Sequence, residues 1–478
     1  MTAATIELSG RSGGPVAVPG EALEDLAGRV EGRLLGPDDP GWDDAVRIWN
    51  GLAATPPALV LQPASAADVA AAVGFARAHG LLLGVKGGGH NIAGTAIAEG
   101  GLTLDLSGLC QLTVDPEARL AHVGPGCRLA DVDRATQAHG LATPLGFISK
   151  VGVAGLTLGG GLGYLTRRFG WTADNLVEAE VVGADGQVRT ASRERHPDLF
   201  WALRGGGGNL GVVTRFTFKL HPVGPQVVGG LIAWPFERAE EVMAAYRTLT
   251  AAAPRELATW LILLNAPPAP FVPAAWHGRR LCTFAVCHSG DPGDAERDLA
   301  PVRALGDPVF DLLGPQPYTE VQSYLDDTEP DGHHYYWRTE FLAGLDDGLL
   351  AGMRELFADC PIPEAELGVL HLSGALNERP ADDGAVGNRD ARYVLGVNGM
   401  WAPDEPEAGR FRQWVRDAGA RLRPWSTGAT YINFQTADED EQRIQATYGT
   451  NFDRLTEIKK IYDPDNMFRV NRNITPSS

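Results

Sequence analysis

The sequence predicts an α+β protein with more than one domain. The chain has 478 residues, of which 44% are hydrophobic and 21% are charged, as is typical of globular proteins with large buried cores. At about 150 residues per domain, this length corresponds to roughly two or three domains. Strand-like runs alternate with amphipathic helical patterns, and the long glycine clusters all lie within the first 222 residues. We therefore expect a glycine-rich domain, then a second α+β domain with an antiparallel sheet.

The charge balance and the cysteine content exclude several classes of protein. Lys plus Arg number 41 and Asp plus Glu number 60, so the formal net charge is −19, and such a surface repels nucleic-acid backbones. Five cysteines without a C-x-x-C motif indicate neither a disulfide framework nor a zinc ribbon. Cys282 and Cys287 are expected to be small buried hydrophobic residues. His333 and His334 are adjacent and would point to opposite faces of a strand, so no metal site is expected.

The first residues lack the basic and apolar regions of a signal peptide. No uninterrupted apolar run reaches the roughly 18 residues that a spanning helix needs. We therefore expect a cytoplasmic protein without a membrane partner.

A strand–helix–strand unit precedes the first glycine cluster. PALVLQP (57–63) reads as a strand bounded by prolines, and Ser65-x-x-Asp68 is a capping box for the helix that follows. Gly80 is placed to end that helix, and residues 81–85 read as a buried strand. This strand leads directly into Gly87, Gly88, Gly89 and His90. A lone histidine in such a place is usually structural, so its neighbours in sequence decide how it is interpreted.

Two further glycine clusters follow, at 151–163 and 205–208. Glycines after a strand let backbone N–H groups converge on an anion, because no Cβ blocks the approach. Three clusters within 130 residues or so therefore suggest a long phosphorylated ligand, although each cluster alone equally fits tight turns in a β-rich domain. Gly206, Gly208 and Gly211 match G-x-G-x-x-G, but a helical segment (196–204) precedes them and a strand follows. That order is the reverse of a Rossmann loop.

The sequence also predicts strands and helices outside the glycine clusters. Residues 175–192 alternate around Asp185-Gly186, which is a hairpin signal, and 212–220 reads as a strand. From 223 to about 430, strands such as GGLIAW and RLCTFAVCH alternate with helices such as 238–253. The last segment ends in a helix that begins near 448.

Five motifs in this order make the chain similar to the berberine-bridge-enzyme-like flavoproteins. This family belongs to the vanillyl-alcohol-oxidase superfamily, and its pattern here is nearest to bacterial members that include 6-hydroxynicotine oxidases and antibiotic-tailoring oxidases. The resemblance covers 35–222 and 385–478 well and 223–384 loosely. The motifs are VKGGGHNIAG (85–94), VGVAGLTLGGGLGYL (151–165), DNLVEAEVV (174–182), DLFWALRGGGGNLGVVT (198–214) and YGTNFDRLTEIKKIYDPDNMFRVNRNI (448–474).

The resemblance implies a PCMH-type, two-subdomain FAD-binding domain and a separate α+β substrate-binding domain. Residues 1–54 would form a leader packed on the FAD domain, which would span 55–222. The substrate domain would span 223–430, and 431–478 would return to the FAD domain.

The resemblance also implies FAD as the cofactor, bonded covalently through His90. The family usually has Arg where this chain has Lys86, a change that keeps the charge and loses bidentate geometry. Many members carry a second link through a cysteine, but Ile148 and Ser149 occupy that place here, so a single histidyl link is expected. The cofactor-binding residues implied are Lys86, Gly87, Gly88, Gly89, His90, Asn91, Gly94, Gly146, Val151, Gly152, Gly155, Gly159, Gly160, Gly161, Gly163, Asn175, Gly208, Gly211, Val213, Tyr431, Asn433 and Asn471.

The catalytic residues are less evident. In the family a base often comes from the strand that here reads ARYVLGVNGMW (391–401), where Asn398 is the only polar residue on the face it shares with Val394 and Gly396. The usual strand base is therefore absent, and Asn398 is the catalytic candidate that this strand offers. Tyr431 is the expected proton acceptor, and Arg338, in YYWRTEF (335–341), would orient a substrate oxygen. That run could equally be a solvated strand edge.

The resulting hypothesis is an FAD-linked oxidase. It would take a hydride from a CH–OH or CH–N carbon of a small, neutral or cationic substrate, and O₂ would reoxidise the flavin to give H₂O₂. Val151 stands where the family places a gate for oxygen. The alternatives are a secondary-metabolite tailoring enzyme (a dehydrogenase, an oxidative cyclase or an oxygenating catalyst) and a non-catalytic flavin-binding protein. The oligomeric state stays open.

Overall fold

The computed structural model of the chain describes residues 5–477 in 21 strands and 14 α-helices joined by short 3₁₀ turns. The strands are β1 (Ile6–Ser9), β2 (Pro15–Val18), β3 (Arg33–Leu35), β4 (Leu59–Gln62), β5 (Leu83–Lys86), β6 (Leu102–Asp105), β7 (Leu112–Asp115), β8 (Leu120–Val123), β9 (Leu141–Ala142), β10 (Leu176–Val182), β11 (Val188–Ser192), β12 (Val212–Lys219), β13 (His221–Pro222), β14 (Gln226–Pro235), β15 (Leu257–Asn265), β16 (Arg280–His288), β17 (Phe310–Asp311), β18 (Gly314–Pro317), β19 (His334–Leu342), β20 (Glu366–His371) and β21 (Tyr393–Trp401). The helices are α1 (Gly20–Arg29), α2 (Trp42–Val46), α3 (Ala66–His79), α4 (Leu129–Gln137), α5 (Val153–Leu158), α6 (Thr166–Phe169), α7 (Pro197–Leu203), α8 (Ala239–Ala252), α9 (Pro292–Arg303), α10 (Tyr318–Val321), α11 (Asp347–Ala358), α12 (Ala408–Leu422), α13 (Glu441–Tyr448) and α14 (Phe452–Tyr462).

A four-stranded mixed sheet in the order β3-β4-β6-β5 carries the first glycine cluster at the end of β5. The crossover helix α3 begins as expected, since the Ser65 hydroxyl accepts a hydrogen bond from the Asp68 N–H, and it ends at Gly80 with a φ of 64°. The second half of the predicted capping box is wrong. The Asp68 carboxylate turns instead to the N–H groups of Glu31, Gly32 and Ala64, so it ties the N-terminal segment to the sheet.

A five-stranded antiparallel sheet in the order β11-β10-β12-β8-β7 forms the second half of the glycine-rich region. The predicted hairpin at Asp185-Gly186 joins β10 to β11, with Val182 opposite Val188. Helix α7 precedes the third glycine cluster and β12 follows it, which confirms the order that excludes a Rossmann loop.

The largest sheet is antiparallel, as expected, and runs β17-β14-β16-β15-β20-β21-β19, with β18 also paired to β14. Helices α8, α9, α11 and α12 cover one face of it and share a hydrophobic core with it. The opposite face carries alternate residues of β15, β19, β20 and β21 toward the glycine clusters. Because successive side chains of a strand point to opposite faces, only every second residue of these strands reaches the site. Cys282 and Cys287 are buried in β16, as expected.

Within residues 5–477, no helix combines the length and apolar character needed to cross a bilayer. The same part of the chain contains no group of three His, Cys, Asp or Glu side chains arranged to bind a metal ion.

A buried ion pair ties the C-terminal segment to the glycine-rich region. Lys459 and Asp463 are both fully buried, with Nζ 2.6 Å from the carboxylate. The ammonium also donates to the carbonyl oxygens of Asn209 and Phe468. Asn209 follows the third glycine cluster, so this contact fixes the C-terminal segment against it.

We predict that Asp463→Asn lowers the free energy of unfolding by about 3–5 kcal/mol, because it leaves the Lys459 ammonium buried without a counter-charge. The lost stability is measured as a lower urea midpoint. Glu457→Gln is the matched control, since it removes the same charge from an exposed position of α14. An Asp463→Asn midpoint equal to that of the control contradicts the prediction.

Candidate active site

A cavity of about 270 Å³ lies where the three glycine clusters face the open side of the largest sheet. The glycine-rich region contributes 87–91, 146–159 in part and 207–213 in part. The sheet contributes Trp260, Trp337, Thr339, Leu370, Val394, Leu395, Gly396 and Asn398, and the C-terminal segment contributes Tyr431, Ile432, Asn433, Phe434, Phe468, Val470, Asn471 and Arg472. The site is therefore assembled from segments that are far apart in the sequence.

The first and second glycine clusters touch through their backbones at Gly88 and Gly152. A Cβ on either glycine would overlap the backbone of the other, so neither position accepts a larger residue. Arg128 secures this contact. Its guanidinium donates to the Gly88 carbonyl at 2.5 Å, and its backbone forms a β-bridge with Gly152. Gly89 then turns the chain with a φ of 72° and presents His90 to the cavity.

His90 lines the cavity and stacks on the indole of Trp49, with ring centroids 5.6 Å apart and planes 17° apart. Burial lowers the pKa of His90 to about 3, and the nearby positive charges of Arg128 and Lys150 add to this effect. Neither ring nitrogen has a hydrogen-bond partner among residues 5–477. The imidazole is therefore neutral at physiological pH and has a lone pair available on nitrogen.

The cavity fits a flavin dinucleotide in three respects. A Cβ built on Gly155 meets no atom within 4 Å, so this glycine faces open space. The side-chain oxygens of Asn398 and Asn471 are buried without a partner in the described chain, and a ligand with N–H and O–H groups would satisfy them. Gly87 and Gly208 line the cavity, and a phosphate can approach the backbone of such residues because no Cβ stands in the way. When bound, FAD would supply the redox chemistry of the site.

Tyr431 joins the C-terminal segment to the second glycine cluster. Its hydroxyl oxygen accepts hydrogen bonds from the Gly161 N–H at 3.0 Å and the Asn433 amide at 2.8 Å. Its ring stacks on Trp171 with centroids 5.8 Å apart. Burial raises the pKa of Tyr431 above its usual range, so the phenol is neutral. An oxygen that already accepts two hydrogen bonds is poorly suited to the expected role of proton acceptor.

Most of the residues expected from the sequence line the cavity, and seven do not. Those that line it are Gly87, Gly88, Gly89, His90, Asn91, Gly146, Val151, Gly152, Gly155, Gly159, Gly208, Gly211, Val213, Asn398, Tyr431, Asn433 and Asn471. Those outside the lining are Lys86, Gly94, Gly160, Gly161, Gly163, Asn175 and Arg338.

Lys86 and Asn175 lie behind the cavity wall rather than on it. The Lys86 ammonium donates to the Ala45 carbonyl at 2.6 Å and lies 3.5 Å from the Asp105 carboxylate. The Asn175 amide donates to the carbonyl oxygens of Phe169 and Trp171. The side chains of Lys86 and Asn175 bind protein groups and hold the backbone in place. The structure therefore does not support the expected direct contact of either residue with a ligand.

The glycines outside the lining serve close packing. Gly161 and Gly163 stand where a Cβ would overlap Thr172 and the Leu145 carbonyl, and Gly94 packs against Ala53. Gly160 adopts a φ of 106°, a conformation that favours glycine.

Arg338 points away from the cavity, which corrects its expected role in orienting the substrate. In β19, Trp337 and Thr339 face the cavity, while Arg338 packs under α12 beside Gly419. Its guanidinium donates to the Tyr336 hydroxyl and pairs with Asp438 at 3.0 Å. The sequence showed that successive side chains of this strand point to opposite faces. It did not show which of the two faces meets the cavity.

Sequence reasoning missed Trp49 and Glu329. Trp49 lies shortly after α2, and Glu329 lies in an acidic loop before β19, in the region where the resemblance is loose. Neither carries a local pattern that distinguishes it from a surface residue. Both are brought to the cavity by long-range contacts, and the Trp49 indole N–H donates to the Glu329 carbonyl at 3.3 Å.

Comparison with known proteins agrees with this geometry. The family described as "FAD binding domain" matches residues 57–192, and the family described as "Berberine and berberine like" matches 430–475. An FAD-linked oxidoreductase of Dictyostelium discoideum is 30% identical over 435 residues, which cover 90% of this chain and 91% of that protein. (R)-6-hydroxynicotine oxidase of Paenarthrobacter nicotinovorans is 31% identical over 455 residues, covering 94% and 97%. The crystal structure of 6-hydroxy-D-nicotine oxidase from Arthrobacter nicotinovorans superposes with a TM-score of 0.82 at 27% identity, covering 94% of this chain and 98% of that one.

The fold, the cavity and these matches define an FAD-linked oxidoreductase. Within that class, the chain belongs to the berberine-bridge-enzyme-like family.

We predict that Gly155→Ala lowers the flavin content of the purified protein without destabilising the chain, because the added methyl group enters the open space of the cavity and meets no protein atom. Flavin content is measured as the ratio of absorbance at 450 nm and 280 nm, and stability is measured on the flavin-free chain. Gly74→Ala is the control, since it adds the same methyl group in open space on α3. Full flavin content in Gly155→Ala would place the cofactor elsewhere.

Proposed function

We propose that the protein is an FAD-linked oxidase with one covalent flavin bond, from a ring nitrogen of His90 to the 8α carbon of the flavin. It oxidises a CH–OH or CH–N group of a small organic molecule and passes the electrons to O₂, which gives H₂O₂. The observation that carries this proposal is the neutral His90 imidazole, held by the first glycine cluster and Trp49 at the wall of the cavity.

The residues at the expected position of a second link support a single bond. Ile148 lines the cavity without a nucleophilic group. The Ser149 hydroxyl donates to the Asp326 carboxylate at 2.5 Å, so it is engaged elsewhere. Cys127 lies outside the lining, and its thiol donates to the Cys110 carbonyl at 3.3 Å.

The face of the largest sheet suits an aromatic or otherwise planar substrate. Trp260, Trp337 and Phe434 line the cavity together with Val394, and such a wall excludes water from the reacting carbon. Asn398 is a polar group on this wall, and its unpartnered oxygen can accept a hydrogen bond from the substrate. Relatives named as 6-hydroxynicotine oxidases agree with this class of substrate.

We predict that the yellow colour stays with the protein after precipitation in acid, because the bond to His90 survives unfolding. His90→Ala should release all of its flavin into the acid supernatant. Cys127→Ala is the control and should keep its colour in the pellet, since that residue lies outside the cavity lining. Colour in the supernatant of the wild-type protein would refute the covalent bond, and colour retained by His90→Ala would place the bond on another residue.

We predict that the reduced flavin reoxidises within seconds in aerated buffer and releases H₂O₂. Val151 lines the cavity, and its small side chain leaves room for O₂ to approach. Val151→Ile should slow reoxidation, which is followed in a stopped-flow spectrophotometer after photochemical reduction. The conservative change Val114→Ile, on the antiparallel strand β7, serves as the control. Reoxidation over many minutes in the wild-type protein would favour a dehydrogenase that uses another acceptor.

A further inference from the structure

The cavity is lined by four titratable side chains among residues 5–477, and only one of them is suited to accept a proton from a substrate. They are His90, Glu329, Tyr431 and Arg472. His90 is the proposed attachment point of the flavin, and the Tyr431 oxygen already accepts two hydrogen bonds. A guanidinium has no acceptor. Glu329 remains.

The loop that carries Glu329 is fixed to the flavin-binding region at several points. The Asp326 carboxylate accepts hydrogen bonds from the N–H and the hydroxyl of Ser149, at 2.7 and 2.5 Å. The Glu329 carbonyl accepts from the indole of Trp49, and the Gly332 N–H donates to the Trp49 carbonyl at 2.8 Å. Since Trp49 also stacks on His90, one residue links the loop to the proposed flavin bond.

Within residues 5–477, the charges that act on Glu329 are those of carboxyl groups. The Lys150 ammonium lies near the same loop and donates to the Asp326 carbonyl at 3.2 Å, but it does not offset them. Burial raises the pKa of Glu329 to about 8, with further contributions from Glu366 on β20 and from Asp326 in its own loop. Tyr335 on β19 also interacts with it. Glu366 lies directly opposite Asn398 in the sheet register, on the face that turns Leu370 to the cavity, and burial raises its pKa to about 7.

We propose that the carboxylate of Glu329 is the general base of the reaction. It would remove the proton from the O–H or N–H of the substrate. When bound, FAD would accept the hydride, with both electrons of the C–H bond, from the neighbouring carbon. A C=O or C=N bond forms in the product, and the Glu329 carboxyl later releases its proton to solvent. This assignment rests on the proposed oxidase function and replaces Tyr431 as the proton acceptor. Tyr431 is then a positioning residue for Gly161 and Asn433.

The first test needs no substrate. A carboxyl group that ionises beside the flavin changes its visible spectrum, so titration of the oxidised protein from pH 5 to 10 should show a step near pH 8. Glu329→Gln, which has nearly the same shape, should abolish this step. Glu366→Gln removes a neighbouring negative charge and should move the step to lower pH. A step that is absent in the wild-type protein, or unchanged in both variants, overturns the proposal.

The second test measures flavin reduction in single turnovers with a panel of benzylic alcohols and benzylamines. With a compound that reduces the wild-type flavin, Glu329→Gln should slow reduction by roughly 10²–10⁴-fold, the usual effect of losing general-base catalysis. The wild-type rate should rise with pH and level off above about pH 8, because the base must be ionised. Asp327→Asn, an exposed change in the same loop, should keep the wild-type rate.

The two tests separate the two hypotheses. Equal reduction rates in Glu329→Gln and the wild-type protein refute the base and leave the oxidase function intact. If no compound in the panel reduces the wild-type flavin, the failure counts against the proposed function, and the titration alone decides the role of Glu329.

Discussion

The contact between the backbones of Gly88 and Gly152 is the constraint on which the site depends. Because neither glycine leaves space for a side chain on the other, the first and second glycine clusters can meet only with these two residues in place. Arg128 holds the contact from one side, and the turn that follows delivers His90 to the cavity. The position of the histidine is thus a result of packing around it, and its neutral state is a result of the burial that this packing produces.

The opposite wall follows a different rule, the alternation of side chains along strands. In β19, Trp337 and Thr339 belong to the set of alternate residues that faces the cavity. Arg338 belongs to the other set and contacts Tyr336 and Asp438 under α12. A shift of the pairing by one residue would exchange these two sets. The antiparallel register with β21, which places Trp337 opposite Asn398, therefore keeps the charged Arg338 off this wall.

The sequence predicted the features that depend on neighbouring residues and missed those that depend on distant ones. The end of α3 at Gly80, the hairpin at Asp185-Gly186 and the glycine clusters each have a local pattern, and the structure confirms them. The prediction of a capping box at Ser65 was only half right, because the Asp68 carboxylate accepts hydrogen bonds from N–H groups that are distant in the sequence. The same reason applies to Lys86, whose ammonium bonds to a carbonyl 41 residues away. Trp49 and Glu329 reach the cavity only through contacts between segments about 280 residues apart.

The assembly of the cavity from residues as far apart as Trp49 and Arg472 also has a consequence for the order of events during synthesis. Asn209, beside the third glycine cluster, bonds through its side chain to the backbone of Arg472 and Ile474, and through its carbonyl to Lys459. A nascent chain grows at about 5–20 residues per second, and until residues 459–474 emerge it lacks one side of the binding site. Stable capture of the flavin is then expected only after these residues are made, and a chain truncated before residue 459 would lack the segment that closes this side of the site.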